Sequence, residues 1–458
     1  MFRCHTIAAA VALACTAPVH AQDAELGRIR DEIRQIRENY EQRIQQLEKR
    51  LSEAEAKAGK AEASAVQAEN TALQAARRPA GGNAFNPAMS VILQGTYART
   101  SRDPNDFQLS GFAPSGGEVA PPRRGFSLGE SELFMTGNID PYFRGQLVAS
   151  LTPEDQLEVE EAFFQTLALG KGYTLKGGRF LSGIGYLNEI HQHAWDFQDA
   201  PLPYKAFLGG RLNDDGVQLK WVAPTETLVE LGGEVGRGRS FPGSDKEKNG
   251  AGAWGLFGHM GGDVGASTAW RAGLSYYRSA PANRSFPDLD ATGSEVTQAF
   301  SGTSKLWVAD AVLKWAPNGN ATVHNFKLQG EYFRRNEDGR LASNGNVGPF
   351  DSRQSGWYAQ SVYQFMPQWR VGYRYDRLNH GTVSNALVGV AGLTPADFPL
   401  LMSHHNPTRN TVMVDWSPTE FSRIRLQFAA DKSRMGTTDN QVLLQYLYSL
   451  GAHGAHQF

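Results

Sequence analysis

Residues 142 to 151 read Tyr142-Phe143-Arg144-Gly145-Gln146-Leu147-Val148-Ala149-Ser150-Leu151. Phe143, Gly145, Leu147, Ala149 and Leu151 fall on one face, with Arg144, Gln146 and Ser150 on the other. This period of two marks a β-strand with an apolar and a polar side. Val217-Gln218-Leu219-Lys220-Trp221, Val371-Gly372-Tyr373-Arg374-Tyr375 and Ile424-Arg425-Leu426-Gln427-Phe428 alternate in the same way. In a water-soluble sandwich the apolar face meets a second sheet. In a membrane barrel it meets lipid, and the polar face lines a wet lumen.

Connection lengths choose between the two. About 16 strands are predicted between residues 90 and 450. Tight turns such as Asp140-Pro141, Gly170-Lys171, Gly261-Gly262, Pro317-Asn318 and Pro367-Gln368 alternate with long connections at 100–124, 183–213, 280–303 and 381–407. The link at 152–155 is a short exception. An even count with this alternation predicts an all-β fold, a transmembrane antiparallel β-barrel in the outer membrane of a Gram-negative bacterium, with turns in the periplasm and loops outside. Trp221, Trp254, Trp270, Trp315, Trp369 and Trp416 lie near predicted strand ends, where interfacial girdles belong.

Composition agrees with this reading. Glycine reaches 49 of 458 residues, above the usual ~7%, which suits turns and close strand packing. No run approaches the ~18 apolar residues of a membrane helix. The formal net charge of −2 offers no global basic field for nucleic acid, and none is expected as a partner.

Upstream, Arg3 followed by Ile7-Ala8-Ala9-Ala10-Val11-Ala12-Leu13-Ala14 and Val19-His20-Ala21 predicts a signal peptide over 1–21. Cys4 and Cys15 both lie inside it, so no disulfide is expected downstream; lipidation at Cys15 is the minor alternative. Residues 22–78 predict a periplasmic coiled coil. Leu26, Ile29, Ile33, Ile36, Tyr40, Ile44, Leu47 and Leu51 form its seam, with one stutter, and an alanine-rich continuation follows. Isoleucine at the early seam positions leans toward a homotrimer. Residues 79–89 read as a linker and 90–458 as the barrel.

Val159-Glu160-Glu161-Ala162-Phe163-Phe164, Leu175-Lys176-Gly177-Gly178-Arg179-Phe180 leading to Gly185 and Asn188-Glu189, and Asp215-Gly216-Val217-Gln218-Leu219 resemble the phosphate-selective porin O/P superfamily. The likeness spans roughly residues 85–458 and looks nearest a subgroup often labelled TonB-dependent or zinc-regulated receptors. The TonB label fits poorly, since about 60 residues before the barrel leave no room for a folded N-terminal plug.

The resemblance implies that the loop after the fifth strand, 183–213, folds into the lumen and sets a pore constriction. Its charged and imidazole residues are Glu189, His191, His193, Asp196, Asp199, Lys205 and Arg211. Arg144, Lys220, Arg370, Arg374, Arg423 and Arg425 are expected on the pore wall, with Glu130, Glu132, Glu158 and Glu160 as acidic wall residues. Acidic loop residues facing basic wall residues predict a transverse field that sorts small polar solutes. Three loop carboxylates against one lysine and one arginine depart from an anion-selective pattern. His191 and His193, with Asp196 or Asp199, are candidate ligands for a divalent metal such as zinc. His404-His405, His453 and His456 are weaker candidates.

No G-x-S-x-G, P-loop or H-E-x-x-H motif occurs, so neither an enzyme nor a cofactor is expected. Three readings follow: a porin passing small solutes or ions, a receptor for metal or metallophore uptake, and an envelope tether with the barrel as anchor in outer-membrane lipid.

Overall fold

A computed structural model describes residues 87–451, apart from 117–118, 154–155, 246 and 248, together with 34–35, 37–38, 41–46 and 49. The chain divides into two units, Met1–Ala84 and Phe85–Phe458. In the first, every described residue is helical and exposed, with an Arg37–Glu41 ion pair at 3.0 Å one turn apart. The predicted signal peptide, most of the coiled-coil seam and the linker through residue 86 lie outside the described residues.

The second unit is a closed antiparallel barrel. Its strand segments are β1 (Ala88–Thr100), β2 (Gly125–Leu128), β3 (Ser131–Asn138), β4 (Phe143–Leu151), β5 (Leu157–Thr166), β6 (Tyr173–Leu181), β7 (Asn213–Val222), β8 (Leu228–Gly236) and β9 (Ala253–Val264). They continue as β10 (Thr268–Ser279), β11 (Arg284–Leu289), β12 (Glu295–Trp315), β13 (Asn325–Ser343), β14 (Asn346–Met366), β15 (Trp369–Asn385), β16 (Thr408–Thr419), β17 (Ser422–Lys432) and β18 (Asp439–Gly451). β2 and β3 pair with successive halves of β1 and make one stave broken at Gly129-Glu130. β11 pairs only with β12, beyond the wall. Eighteen segments less these two leave 16 staves, and β1–β18 pairing closes the ring.

The wall is inverted relative to a water-soluble barrel. Along β18, Asp439, Gln441, Leu443 and Gln445 are buried, while Leu444 and Tyr446 are exposed. Along β14, Gln354, Tyr358 and Gln360 point inward and Trp357 and Tyr363 outward. Strand alternation thus places polar groups inside and apolar groups outside, the arrangement lipid rewards and water penalises. Trp221, Trp270, Trp315, Trp369 and Trp416 ring the turn end, with Trp369 and Trp416 stacked at 5.9 Å. Toward the loop end, Trp254, Tyr276 and Trp307 form a second row, with ring centroids 5.3 and 4.7 Å apart. Trp307 and Trp315, both on β12, are separated by about 27 Å of extended strand at ~3.4 Å per residue. With a tilt of ~40° this becomes about 20 Å, near the ~25 Å apolar band of such barrels.

The expected alternation of turn and loop holds except at one hairpin. β13 and β14 run 19 and 21 residues and meet at Asn344-Gly345, both with positive φ (47° and 78°), the geometry a two-residue hairpin needs. The connection read as loop 280–303 is also largely strand, containing β11 and the start of β12.

The loop end is packed. Phe112 and Leu109 from the β1–β2 connection meet Ile184, Leu187, Trp195, Tyr204 and Phe207 of the β6–β7 loop, and wall residues Leu306, Phe333 and Tyr358, in one apolar core. A second core joins Phe286, Phe300, Leu341 and Phe350 to Leu387, Phe398 and Leu401 of the β15–β16 loop.

Candidate functional site

The loop between β6 and β7 enters the barrel and is anchored at both ends. Asn188 ties them together: its Nδ2 donates to the Ser182 and Leu212 carbonyls at 2.8 and 2.9 Å, and its Oδ1 accepts from Leu212 N at 2.7 Å. Glu331 of β13 anchors the first turn. Its carboxylate accepts from Tyr186 N and Leu187 N at 3.2 and 3.0 Å, from Tyr204 Oη at 3.0 Å and from Tyr358 Oη at 2.7 Å. Gly185 makes that approach possible. Its φ is +71°, and a Cβ there would press against the Glu331 carboxylate and the Tyr204 hydroxyl. A short helix α1 (Leu202–Leu208), wholly buried and ended by left-handed Gly209, fills the lumen behind it.

Past this anchor the loop meets two arcs of wall. On one, Asp196 accepts from Lys327 Nζ at 3.0 Å, Gln360 Nε2 at 3.2 Å and Arg370 Nη1 at 3.2 Å. Asp199 accepts from Arg374 Nη2 at 3.1 Å and Gln427 Nε2 at 2.9 Å, is bonded by Arg409, and has Lys205 Nζ at 3.6 Å. Arg423 and Arg425 donate to the His193 and Trp195 carbonyls at 2.5 and 2.8 Å. Burial alone would raise the Asp196 and Asp199 carboxyls. Lys327 and Arg370 beside the first, and Arg409 and Arg374 beside the second, outweigh it and hold both well below the usual carboxylate range.

On the other arc stand Glu130 at the break before β3, Glu132 of β3, and Glu160 and Glu161 of β5. His191 Nε2 lies 3.1 Å from Glu161, and its Nδ1 lies 3.5 Å from both Glu132 and Glu160. His193 Nδ1 is 2.9 Å from Glu132, and Arg211 Nη2 is 3.1 and 2.9 Å from Glu130 and Glu160. Burial works against a charge on His191, but the nearby carboxylates of Glu160, Glu161 and Glu132 push the imidazole up to about 10. Between the arcs, Glu189 pairs with Lys220 at 3.2 Å.

The loop and wall residues predicted from sequence therefore converge, with two exceptions. Arg144 bonds Thr136 at 2.8 Å near the turn end and takes no part in the loop contacts. Glu158 lies opposite the inward Ser150 but is exposed and takes no part in the loop contacts. A register shift opposite Val148 and Ala149 inserts an extra residue at Glu160, so that Glu160 and Glu161 both point inward. The expected transverse field is also altered, because loop carboxylates and wall arginines are in direct contact and largely cancel one another. Glu331, Arg409, Lys327 and Glu161 were not singled out from sequence. They sit at inward positions of alternating strands, where only the register distinguishes them from other polar residues.

Toward the turn end the lumen opens into two cavities that share Lys314 and Lys327. One, about 470 Å³, also touches Asp196 and Arg370; the other, about 700 Å³, touches Tyr186, Ile190, His193 and Arg423.

No family model matches the chain. An uncharacterized protein of Aquifex aeolicus (strain VF5) is 30% identical over 411 residues, covering 83% of this chain and 81% of that protein. Among solved structures, OmpTdeltaL8, a loop L8 deletion mutant of the Vibrio cholerae outer membrane protein OmpT, aligns at TM-score 0.48 and 12% identity, covering 80% of this chain and all of that one. Pseudomonas putida OprB aligns at TM-score 0.48 and 12% identity over 80% and 94% of the two chains. The outer membrane channel DcaP of Acinetobacter baumannii aligns at 0.44 and 11% over 80% and 96%.

Proposed function

The chain belongs to one family with the Aquifex aeolicus protein, and from that premise we propose that it is an outer-membrane channel through which small hydrophilic solutes or ions diffuse passively. The observation that carries this reading is the inverted barrel, with exposed leucine, valine and aromatic side chains outside and buried charged and amide side chains inside. Such a wall is stable only with lipid around it and polar contents within. The β6–β7 loop serves as the constriction, its residues from Glu189 to Arg211 bonded to charges on the wall. Because those charges are paired at about 3 Å, selection rests on width and on the basic turn-end vestibule of Lys314, Lys327, Arg370 and Arg423 rather than on an open ring of one sign. The superfamily resemblance supports anion entry into that vestibule, and the acidic arc opposes strict anion selectivity. The proposal includes a periplasmic stalk over 22–78 and a homotrimer, supported by the isoleucine seam and by helix at the described residues between Arg34 and Lys49.

The test is planar-bilayer recording of the purified full chain in KCl. Small, discrete steps proportional to voltage are expected, narrower than for an unobstructed barrel of this size. A correctly folded chain that carries no current contradicts the proposal.

A further inference from the structure

Glu132 Oε2, Glu160 Oε2 and His191 Nδ1 face one another on the acidic arc, all within 4.8 Å. Each is buried and accepts or donates no well-formed hydrogen bond, although Arg211 Nη2 lies 2.9 Å from the Glu160 oxygen, off its donor direction. The two glutamates are themselves more than nine-tenths buried. Buried polar atoms are ordinarily hydrogen-bonded; here Glu132 Oε2 and His191 Nδ1 are not, and Glu160 Oε2 has only its ion pair with Arg211, so their point of convergence calls for an occupant.

The opposite side of each group is held. Glu132 Oε1 lies 2.9 Å from His193 Nδ1, Glu160 accepts from Ser150 Oγ through Oε1, and His191 Nε2 lies 3.1 Å from Glu161. Glu161 is fixed in turn by Gln146 Nε2 at 2.8 Å and Leu181 N at 3.1 Å. A carboxylate bonded to one imidazole nitrogen aims the lone pair of the other, as in carboxylate–histidine–metal arrangements.

We infer that Glu132, Glu160 and His191 bind a divalent transition-metal ion. The imidazole nitrogen lies 3.5 Å from each glutamate oxygen. That is too long for a good hydrogen bond, yet it matches the ~3.4 Å between neighbouring donors of a tetrahedral ion with ligands at ~2.1 Å. Four carboxylates against the single guanidinium of Arg211 provide the negative field a dication needs. One nitrogen among oxygens suits zinc, cobalt, manganese or iron(II) better than magnesium or calcium, which take oxygen ligands. Binding replaces any proton carried on His191. His193 and Ile190, which flank the His191 ligand in the loop, border the 700 Å³ cavity. Water can complete the coordination.

The test uses the full chain, purified in detergent and stripped with chelator, titrated with Zn²⁺ by calorimetry and with Co²⁺ by visible absorption. One equivalent per chain is expected, with the intense bands of four-coordinate cobalt. Glu160→Gln and Glu132→Gln, which keep side-chain shape, should each weaken binding at least tenfold, as should His191→Gln. His404→Gln, at the exposed loop pair where His404 Nδ1 lies 3.2 Å from His380 Nε2, should leave it unchanged. Gel mobility before and after heating reports folding of every variant, and either glutamate variant alone suffices if the histidine variant fails to fold. Equal binding by the wild type and the folded glutamate variants overturns the inference, and so does loss of binding on His404→Gln alone. None of these readouts depends on conduction, so a chain that passes no current can still bind the metal, and the reverse.

Discussion

Asp199 and His191 lie eight residues apart on one loop, yet the wall receives them in opposite ways. Around Asp199, the loop carboxylate is saturated by Arg374, Arg409, Gln427 and Lys205. Around His191, carboxylates outnumber cations, and three donor atoms remain without a well-formed hydrogen bond. The first arrangement resembles a clasp: every partner is committed, and removal of one strands the others. The second keeps a coordination-ready gap whose other contacts hold its shape. The same loop thus is fastened by charge at one arc and presents a ligand set at the other.

The comparison breaks most sharply at Asp199. Asp199→Asn leaves Arg374 and Arg409, each 1% exposed, with only Asp376 at 3.1 Å and Asp431 at 3.7 Å respectively, and takes the carboxylate from buried Lys205. Removing one partner of a buried pair costs about 3–5 kcal/mol, so a clearly lower guanidinium unfolding midpoint is expected in detergent. An unchanged midpoint would show that the clasp holds nothing.

Acid provides the next effect. The folded Asp196 and Asp199 carboxyls titrate below their unfolded value of ~3.9, so their ion pairs contribute stability above that pH and lose it as pH falls further, toward their depressed folded values. Unfolding midpoints should decline below about pH 4, and Asp199→Asn should decline less steeply than the wild type. Parallel curves would place the acid-sensitive groups elsewhere.

The smallest effect belongs to the acidic arc. Without metal, Glu132→Gln removes the charge facing His193 at 2.9 Å and His191 at 3.5 Å, while an amide oxygen can still accept from His193. Its stability should fall by about 1 kcal/mol, the worth of a hydrogen bond that loses its charge assistance, and by less than that of Asp199→Asn. A loss as large as that of Asp199→Asn would erase the distinction between the arcs.

Much of the barrel was legible because lipid and water impose opposite demands on alternate residues, and the 16 staves follow from that rhythm and the turns between them. What escaped lay where the rhythm continues past the membrane or slips. Asn344-Gly345 is a strong hairpin signal, yet it sits between segments whose outward residues include charge, so the apolar–polar rhythm is lost over 336–353. At Glu160 a single extra residue turns two neighbouring glutamates inward, whereas strict alternation from Glu160 puts Glu161 on the outer face. The loop residues from Glu189 to Arg211 were visible as a charged set, but their partners were not. Asp196 meets Lys327 across 131 positions and Asp199 meets Arg409 across 210, contacts that only barrel closure creates. The resemblance motifs proved to hold the loop in place: Gly185 admits the Glu331 carboxylate and Asn188 joins the loop's two ends.

The central claim is a passive channel narrowed by the loop between β6 and β7. Its most direct measurement is single-channel current in KCl for the full chain beside a variant in which residues 192–208 are replaced by a short glycine-serine link, both verified as folded by gel mobility. The account predicts ohmic current in the wild type and a several-fold larger step in the shortened form. Equal conductance would remove the loop as the constriction, and no current from either chain would contradict the channel itself.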